Sequence, residues 1–117
     1  MSRRMERVAH QLREELARVL REEVTDPRIR LVTLTRVDVA PDLSSAVVYW
    51  STLAEGEEAV EQVREGLESA AAHARACLAR ALPLRRTPAL RFRHDPSLEL
   101  GSRTLGALRE LRDDGET

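Results

Sequence analysis

A long helical pattern with strand patterns before and after it limits the folds that this chain can adopt. The pattern opens after Ala54 and ends at Pro83, so it spans about 25 residues and about 38 Å at 1.5 Å per residue. Because this is long for a chain of 117 residues, we expect a bend near its middle, at Gly66 or at the alanines 70–72. A helix that joins two strands of one sheet makes them parallel, with a right-handed crossover.

Two strands are predicted before this helix and one after it. Residues Leu31 to Val39 and Ser45 to Leu53 are rich in β-branched side chains. The turn cluster 40–44 joins them as an antiparallel hairpin. The third strand, Ala89 to His94, alternates, with Leu90, Phe92 and His94 on one face and Arg91 and Arg93 on the other.

An amphipathic helix opens the chain and ends before Asp26-Pro27, because the residue before proline avoids helical backbone angles. The predicted order is helix, strand, strand, helix, strand. It gives an α+β domain with the helices on one face of a three-stranded mixed sheet. We expect one domain over residues 1–112, including one or two helical turns after Gly101-Ser102, and a disordered acidic tail over 113–117.

Several classes of protein are not expected. No apolar run approaches the ~20 residues of a membrane helix, and no apolar stretch typical of a secretory signal follows Met1–Arg7. The single cysteine, Cys77, cannot form an internal disulfide, so a cytoplasmic location is the expectation. His94-Asp95 with Ser97 fits the end of a strand and a turn better than an acid–base group. We expect no enzyme, metal or cofactor.

The net charge of −1 hides an uneven distribution of arginine, which supplies all 19 basic residues. Residues 31–69 contain two arginines and eight acids, whereas residues 70–93 contain six arginines and no acid. Guanidinium groups bind phosphate bidentately and stay charged, so this block indicates an anionic partner such as nucleic acid. The alternative is that these arginines pair with the acidic stretch at 55–68. The arginines of the block are Arg75, Arg80, Arg85, Arg86, Arg91 and Arg93.

Aromatic residues make up only 3% of the chain. Tyr49, Trp50 and Phe92 lie within predicted strands, so a stacking platform for single strands is not predicted. Recognition of the backbone of structured RNA fits this composition better.

A succession of short motifs resembles the bacterial ribosome-binding factor A family, from about residue 3 to residue 110. The succession is quite specific, although no single motif is. The motifs are Arg7-Val8, Thr25-Asp26-Pro27-Arg28, Val32–Val37, Asp42–Ala46, Val48-Tyr49, Leu84–Phe92 and Asp95-Pro96-Ser97.

The resemblance implies a KH-like fold of the second type and a non-enzymatic assembly factor. Such a factor binds 16S ribosomal RNA within immature 30S subunits, acts late in 16S maturation and in cold adaptation, and then leaves. Ala70-Ala71-Ala72 stands at that family's Ala-x-Gly kink with alanine in place of glycine, so a kink there must come from helix packing. The candidate RNA-binding residues are Arg3, Arg4, Arg7, Arg28, Arg75, Arg80, Arg85, Arg86, Arg91 and Arg93.

Two other interpretations remain open. One is a KH-like RNA binder with another target, such as an RNA chaperone. The other is a small protein-interaction or regulatory domain whose arginines are only solvated. For the assembly factor we expect a monomer with no cofactor, no small-molecule substrate and no membrane partner, and an acidic start of the long helix that faces away from the RNA.

Overall fold

The computed structural model describes residues 2–96. The order of its elements confirms the predicted α+β fold, whereas the turns after Gly101, the domain end at 112 and the tail at 113–117 lie outside the described residues. The elements are α1 (Arg3–Glu22), a 3₁₀ turn (Pro27–Ile29), β1 (Val32–Val39), β2 (Ser45–Thr52), α2 (Glu57–Ala81) and β3 (Ala89–His94).

The sheet has the order β1-β2-β3. β1 and β2 form the predicted antiparallel hairpin, and β2 and β3 are parallel, as the helical crossover requires. Val48 of the central strand pairs with Val37 on one side and with Phe92 on the other. The register of β1 shifts between Leu34 and Arg36, which is a β-bulge with Thr35 as the extra residue.

The core lies between the two helices and one face of the sheet. Trp50 and Val48 of β2 are fully buried, and Leu16 of α1 and Leu67 of α2 are 1% and 0% exposed. Burying a side chain of this size contributes roughly 1.5–3 kcal/mol. Along β2 and β3, the buried side chains alternate with side chains on the opposite face of the sheet. Among residues 2–96, no helix packs on that opposite face.

Both helices begin and end close to where the sequence patterns place them. Ser2 caps α1 by accepting a hydrogen bond from the Met5 amide at 3.2 Å. α1 ends at Glu22, ahead of Asp26-Pro27, and α2 ends at Ala81, ahead of Pro83. α2 is one continuous helix, so the bend predicted at Gly66 or at the alanines 70–72 does not interrupt it.

Gly66 has a packing role. It is buried where α2 crosses the 3₁₀ turn, and a Cβ on Gly66 would lie 2.9 Å from Ile29 Cγ2 and 3.2 Å from Arg28 Cβ. Because Cγ2 is bound directly to Cβ of a buried side chain, it cannot swing away. Glycine therefore lets α2 approach the chain between α1 and β1 closely.

We predict that Gly66→Ala destabilises the protein, although alanine is the better helix former by about 1 kcal/mol. Overpacking of this kind costs typically about 1–3 kcal/mol, so the close contact with Ile29 outweighs the gain in propensity. Chemical denaturation of the single variants and of the double variant Gly66→Ala/Ile29→Ala tests this. The Gly66→Ala substitution should cost less, or stabilise, once Ile29 is alanine. An equal cost in both backgrounds would contradict the packing role.

Candidate nucleic-acid interface

The topology gathers arginines from three separate segments at one end of the molecule. The first turns of α1, the β1–β2 turn, the last turn of α2 and its connection to β3 meet there, and the Ala89 amide donates to the Ser44 carbonyl at 3.1 Å. We name this region the arginine end. Its arginines are Arg3, Arg4, Arg7, Arg80, Arg85 and Arg86.

A shallow groove of about 210 Å³ at the arginine end shows how closely these segments pack. Arg4 of α1 and Arg85 of the α2–β3 connection line the same groove, with Leu43 of the β1–β2 turn and Pro83 between the helix and the connection. Residues about 80 positions apart in the chain therefore contribute guanidinium groups to one surface. Only the tertiary fold brings them together.

Asp42 is the acidic residue of the β1–β2 turn at this end. Hydrogen bonds from the hydroxyl and amide of Ser44 hold the pKa of Asp42 below its usual range, and the positive charge of Arg86 lowers it further. The Ser44 hydroxyl donates at 2.6 Å and its amide at 3.0 Å. Arg85 and Arg86 themselves are exposed and form no ion pair with any residue in the range 2–96.

Arg75 lies on α2 but turns toward the connection that follows the helix. Its Nε and Nη2 donate to the Thr87 carbonyl at 3.2 and 2.8 Å. This bidentate contact anchors the segment that contains Arg85 and Arg86. The structure thus gives Arg75 a positioning role beside its predicted role in binding.

Arg28 lies at the other end of the molecule and is paired. Its guanidinium contacts the Asp26 carboxylate through two nitrogens, the shortest at 2.6 Å, and Glu65 at 3.9 Å. Hydrogen bonds to Asp26, together with the charges of Asp26 and Glu65, raise the pKa of Arg28. The structure does not bring Arg28 together with the arginine end.

Arg91 and Arg93 lie on the sheet face that points away from the helices. Both are exposed, and neither forms an ion pair within the described part of the chain. All three aromatic residues lie within strands as expected, but only Trp50 and Phe92 point to the helix side, whereas Tyr49 faces away from the helices. Because side chains alternate strictly along β2, a buried Trp50 predicts that Tyr49 faces the opposite side of the sheet.

The acidic stretch at 55–68 does not neutralise the arginine block. Glu57 and Glu58 lie in the first turn of α2, whereas Arg80 lies in its last turn, so a 25-residue helix of about 37 Å separates them. Glu61 pairs with Arg64 at 3.1 Å and Glu65 contacts Arg28. The alternative of pairing between the block and this stretch is not observed among residues 2–96, and the acidic start lies at the opposite end from the arginine end.

The other sequence candidates occupy structural positions. His94 is half-buried, with its ring centroid 4.6 Å from that of Trp50. Asp95 accepts from the Thr35 hydroxyl at 2.7 Å, and its amide donates to the Trp50 carbonyl. Cys77 is buried in α2. Ser97 lies outside the described residues.

The described residues contain neither a grouping suited to a metal ion nor a membrane-spanning helix. Over residues 2–96, no three His, Cys, Asp or Glu side chains are grouped so as to hold a metal ion. Neither α1 nor α2 is long and apolar enough to cross a membrane.

The fold and the arginine end together define a KH-like α+β domain with one strongly basic surface. The family model for ribosome-binding factor A matches residues 4–108. The chain belongs to the ribosome-binding factor A family.

Individual relatives agree with this assignment over most of the chain. Ribosome-binding factor A of Shewanella sediminis is 42% identical over 113 residues, which are 97% of this chain and 79% of that protein. The protein of the same name from Desulfitobacterium hafniense is 37% identical over 119 residues, with 97% of this chain and 94% of that protein covered.

Solved structures of the family share the fold. The crystal structure of ribosome-binding factor A from Thermus thermophilus superposes with a TM-score of 0.68 at 30% identity, covering 77% of this chain and 93% of that chain. A homology model of the Thermus thermophilus protein, fitted into a cryo-EM map of its complex with 30S, gives a TM-score of 0.61 at 32% identity. It covers 75% of this chain and 91% of that one.

We predict that Asp26→Asn removes a pH-dependent part of the stability. Hydrogen bonds from Arg28 lower the pKa of Asp26 in the folded state, so the ionised carboxylate stabilises the protein above the ordinary pKa of aspartate, about 3.9. This stabilisation is lost as the pH falls through the lowered pKa. The wild-type protein should therefore melt above the variant at pH 7, and the gap should close toward pH 2.

Thermal melts of both proteins across that pH range measure the effect. Glu68→Gln is the control, because it removes an exposed carboxylate that has no ion pair among the described residues. A gap between wild type and Asp26→Asn that stays constant with pH would contradict the ion-pair role of Asp26.

Proposed function

We propose that this chain is an assembly factor that binds 16S ribosomal RNA within the immature 30S ribosomal subunit through its arginine end. The observation that carries the proposal is that Arg4 of α1 and Arg85 of the α2–β3 connection line one groove, with Arg80 in the adjoining last turn of α2. Membership of the ribosome-binding factor A family, and the relative fitted into a map of a 30S complex, support the same partner.

The chemistry of the arginine end suits an RNA backbone. Guanidinium groups keep their charge and bind phosphate oxygens with two parallel hydrogen bonds. The amino end of α1, close to Arg4, adds the positive end of a helix dipole. Phosphate contacts supply affinity, and the fit of several segments to one folded RNA shape supplies specificity.

Binding alone is sufficient for the proposed role. The factor holds one arrangement of the subunit RNA while late 16S processing and folding finish, and then dissociates from the subunit. This role requires no cofactor, no small-molecule substrate and no catalytic group, and it places the protein in the cytoplasm with the ribosomes, as a monomer. Because the factor helps with slow RNA folding, it also contributes to growth in the cold.

We predict that the double variant Arg85→Glu/Arg86→Glu binds free 30S subunits at least about tenfold more weakly than the wild type, because two phosphate-binding cations become anions. Co-sedimentation of the full chain with free 30S subunits and with mature 70S ribosomes measures the binding. The wild type should migrate with the free subunits only. An RNA chaperone with another target would migrate with neither.

The matched control is Arg21→Glu/Arg30→Glu. These arginines are also exposed and without an ion pair in the described residues, but they lie at the far end of the molecule. The control changes the net charge by the same amount but leaves the arginine end intact, so it should keep most of the binding. If both double variants bind like the wild type, the basic surface proposed here is wrong and a protein-interaction domain is favoured.

We also predict a steep salt dependence. The logarithm of the subunit-binding constant should fall linearly with the logarithm of salt concentration, because each phosphate contact releases counterions. The slope should become shallower by about 1 for each phosphate group that Arg85→Glu/Arg86→Glu no longer binds. A flat response of the wild type across the salt series would count against phosphate binding.

A further inference from the structure

The sheet face that points away from the helices presents an ordered array of side chains. We name it the open face and define it by Arg36, Asp38, Val47, Tyr49, Arg91 and Arg93. The register places these residues in two rows across the three strands. One row is Arg36, Tyr49 and Arg93, and the next is Asp38, Val47 and Arg91.

The centre of the first row is a stacked pair. The guanidinium carbon of Arg36 lies 4.3 Å from the centroid of the Tyr49 ring. The guanidinium thus lies over the ring, and because the Arg36 side chain is 63% exposed, part of it meets solvent. Hydrogen bonding to the Tyr49 side chain and then the charge of Asp38 raise the pKa of Arg36.

The arginines of the open face differ in whether a carboxylate lies near them. Arg36 has carboxylates nearby, since Asp38 lies 3.3 Å from its guanidinium and the charge of Asp95 also acts on it. Arg91 and Arg93 are exposed and have no ion pair within the described residues. They are two residues apart on β3, so about 6.6 Å separates their backbone positions. The open face thus joins a guanidinium group on an aromatic ring to two adjacent cations that have no ion pair among residues 2–96.

We propose that the open face binds an unpaired nucleotide of RNA, with its base on the exposed side of the Arg36 guanidinium and its flanking phosphates on Arg91 and Arg93. This inference rests on the proposed function and adds a second, chemically different RNA contact to the arginine end. Stacking of a base requires that the base be unpaired, because a duplex hides its base faces. The open face therefore favours a single strand, and the arginine end favours folded RNA.

An acidic peptide could use the same cations, but it would gain nothing from the planar pair. Bases stack on guanidinium and aromatic planes whatever their sequence. The stacked pair is thus the feature that favours RNA over an acidic peptide. A test must separate planarity from charge.

Fluorescence anisotropy of the full chain with a labelled ten-nucleotide RNA of mixed sequence, and with the same RNA annealed to its complement, provides that test. Arg36→Lys keeps the charge and removes the plane, and Tyr49→Leu removes the ring beneath it. Each should weaken single-strand binding roughly fivefold or more and change duplex binding by less than about twofold. Tyr49→Phe keeps the ring and loses only the hydroxyl, so it should bind much closer to the wild type than Tyr49→Leu does.

The matched control is Arg30→Lys, an exposed arginine at the far end that should bind like the wild type. Thermal melts check that Arg36→Lys and Tyr49→Leu fold. Unchanged single-strand binding in both variants, or equal losses for single strand and duplex, would overturn the proposal. Binding of a poly-glutamate peptide that competes fully with the single strand and is equally sensitive to Arg91→Gln would also overturn it.

The outcome is independent of the test of the arginine end. If Arg85→Glu/Arg86→Glu loses 30S binding while Arg36→Lys keeps its single-strand binding, the open-face site fails and the proposed function stands. If Arg36→Lys loses single-strand binding but Arg85→Glu/Arg86→Glu keeps 30S binding, the open face binds RNA and the arginine end does not.

Discussion

The parallel pairing of β2 with β3 determines where the helices and the turns lie relative to one another. It sets Ala89 beside Ser45, and the Ala89 amide bonds to the Ser44 carbonyl. Because a parallel neighbour must start at the same end of the sheet, α2 has to return the chain over the full length of the domain. The end of α2 and the connection after it therefore meet the β1–β2 turn and the start of α1. An arginine block that is local in sequence becomes part of a surface built from the whole chain.

The same pairing divides the block between two surfaces. Arg80, Arg85 and Arg86 lie before β3, so they stay at the arginine end. Arg91 and Arg93 lie within β3, where period-2 alternation turns them onto the open face while Phe92 packs on the helix side. One basic segment thus supplies a compact end that suits folded RNA and a flat face that suits a single nucleotide.

Much of the fold could be predicted because strong local patterns dictate it. The period of the helices, the β-branched strands and the prolines at 27 and 83 indicate the order and direction of every described strand and α-helix. The arginine end could be predicted only in part, because nothing in the local sequence indicates that Arg4 and Arg85 line the same groove. The pairing of Arg28 with Asp26 did have a local signal, two residues of opposite charge around a proline, which favours an ion pair over a free binding group.

The open face could not be predicted from simple alternation of side chains along β1. Strict alternation from Val32 and Leu34 would place Arg36 in the core and Val37 in solvent. The bulge at Thr35 reverses this, so that Val37 and Val39 are buried and Arg36 stands opposite Tyr49. The apolar spacing 32, 34, 37, 39 contains the one-residue shift that indicates a bulge. A single extra residue in an edge strand thus keeps a charge out of the core and at the same time creates the stacked pair on the open face.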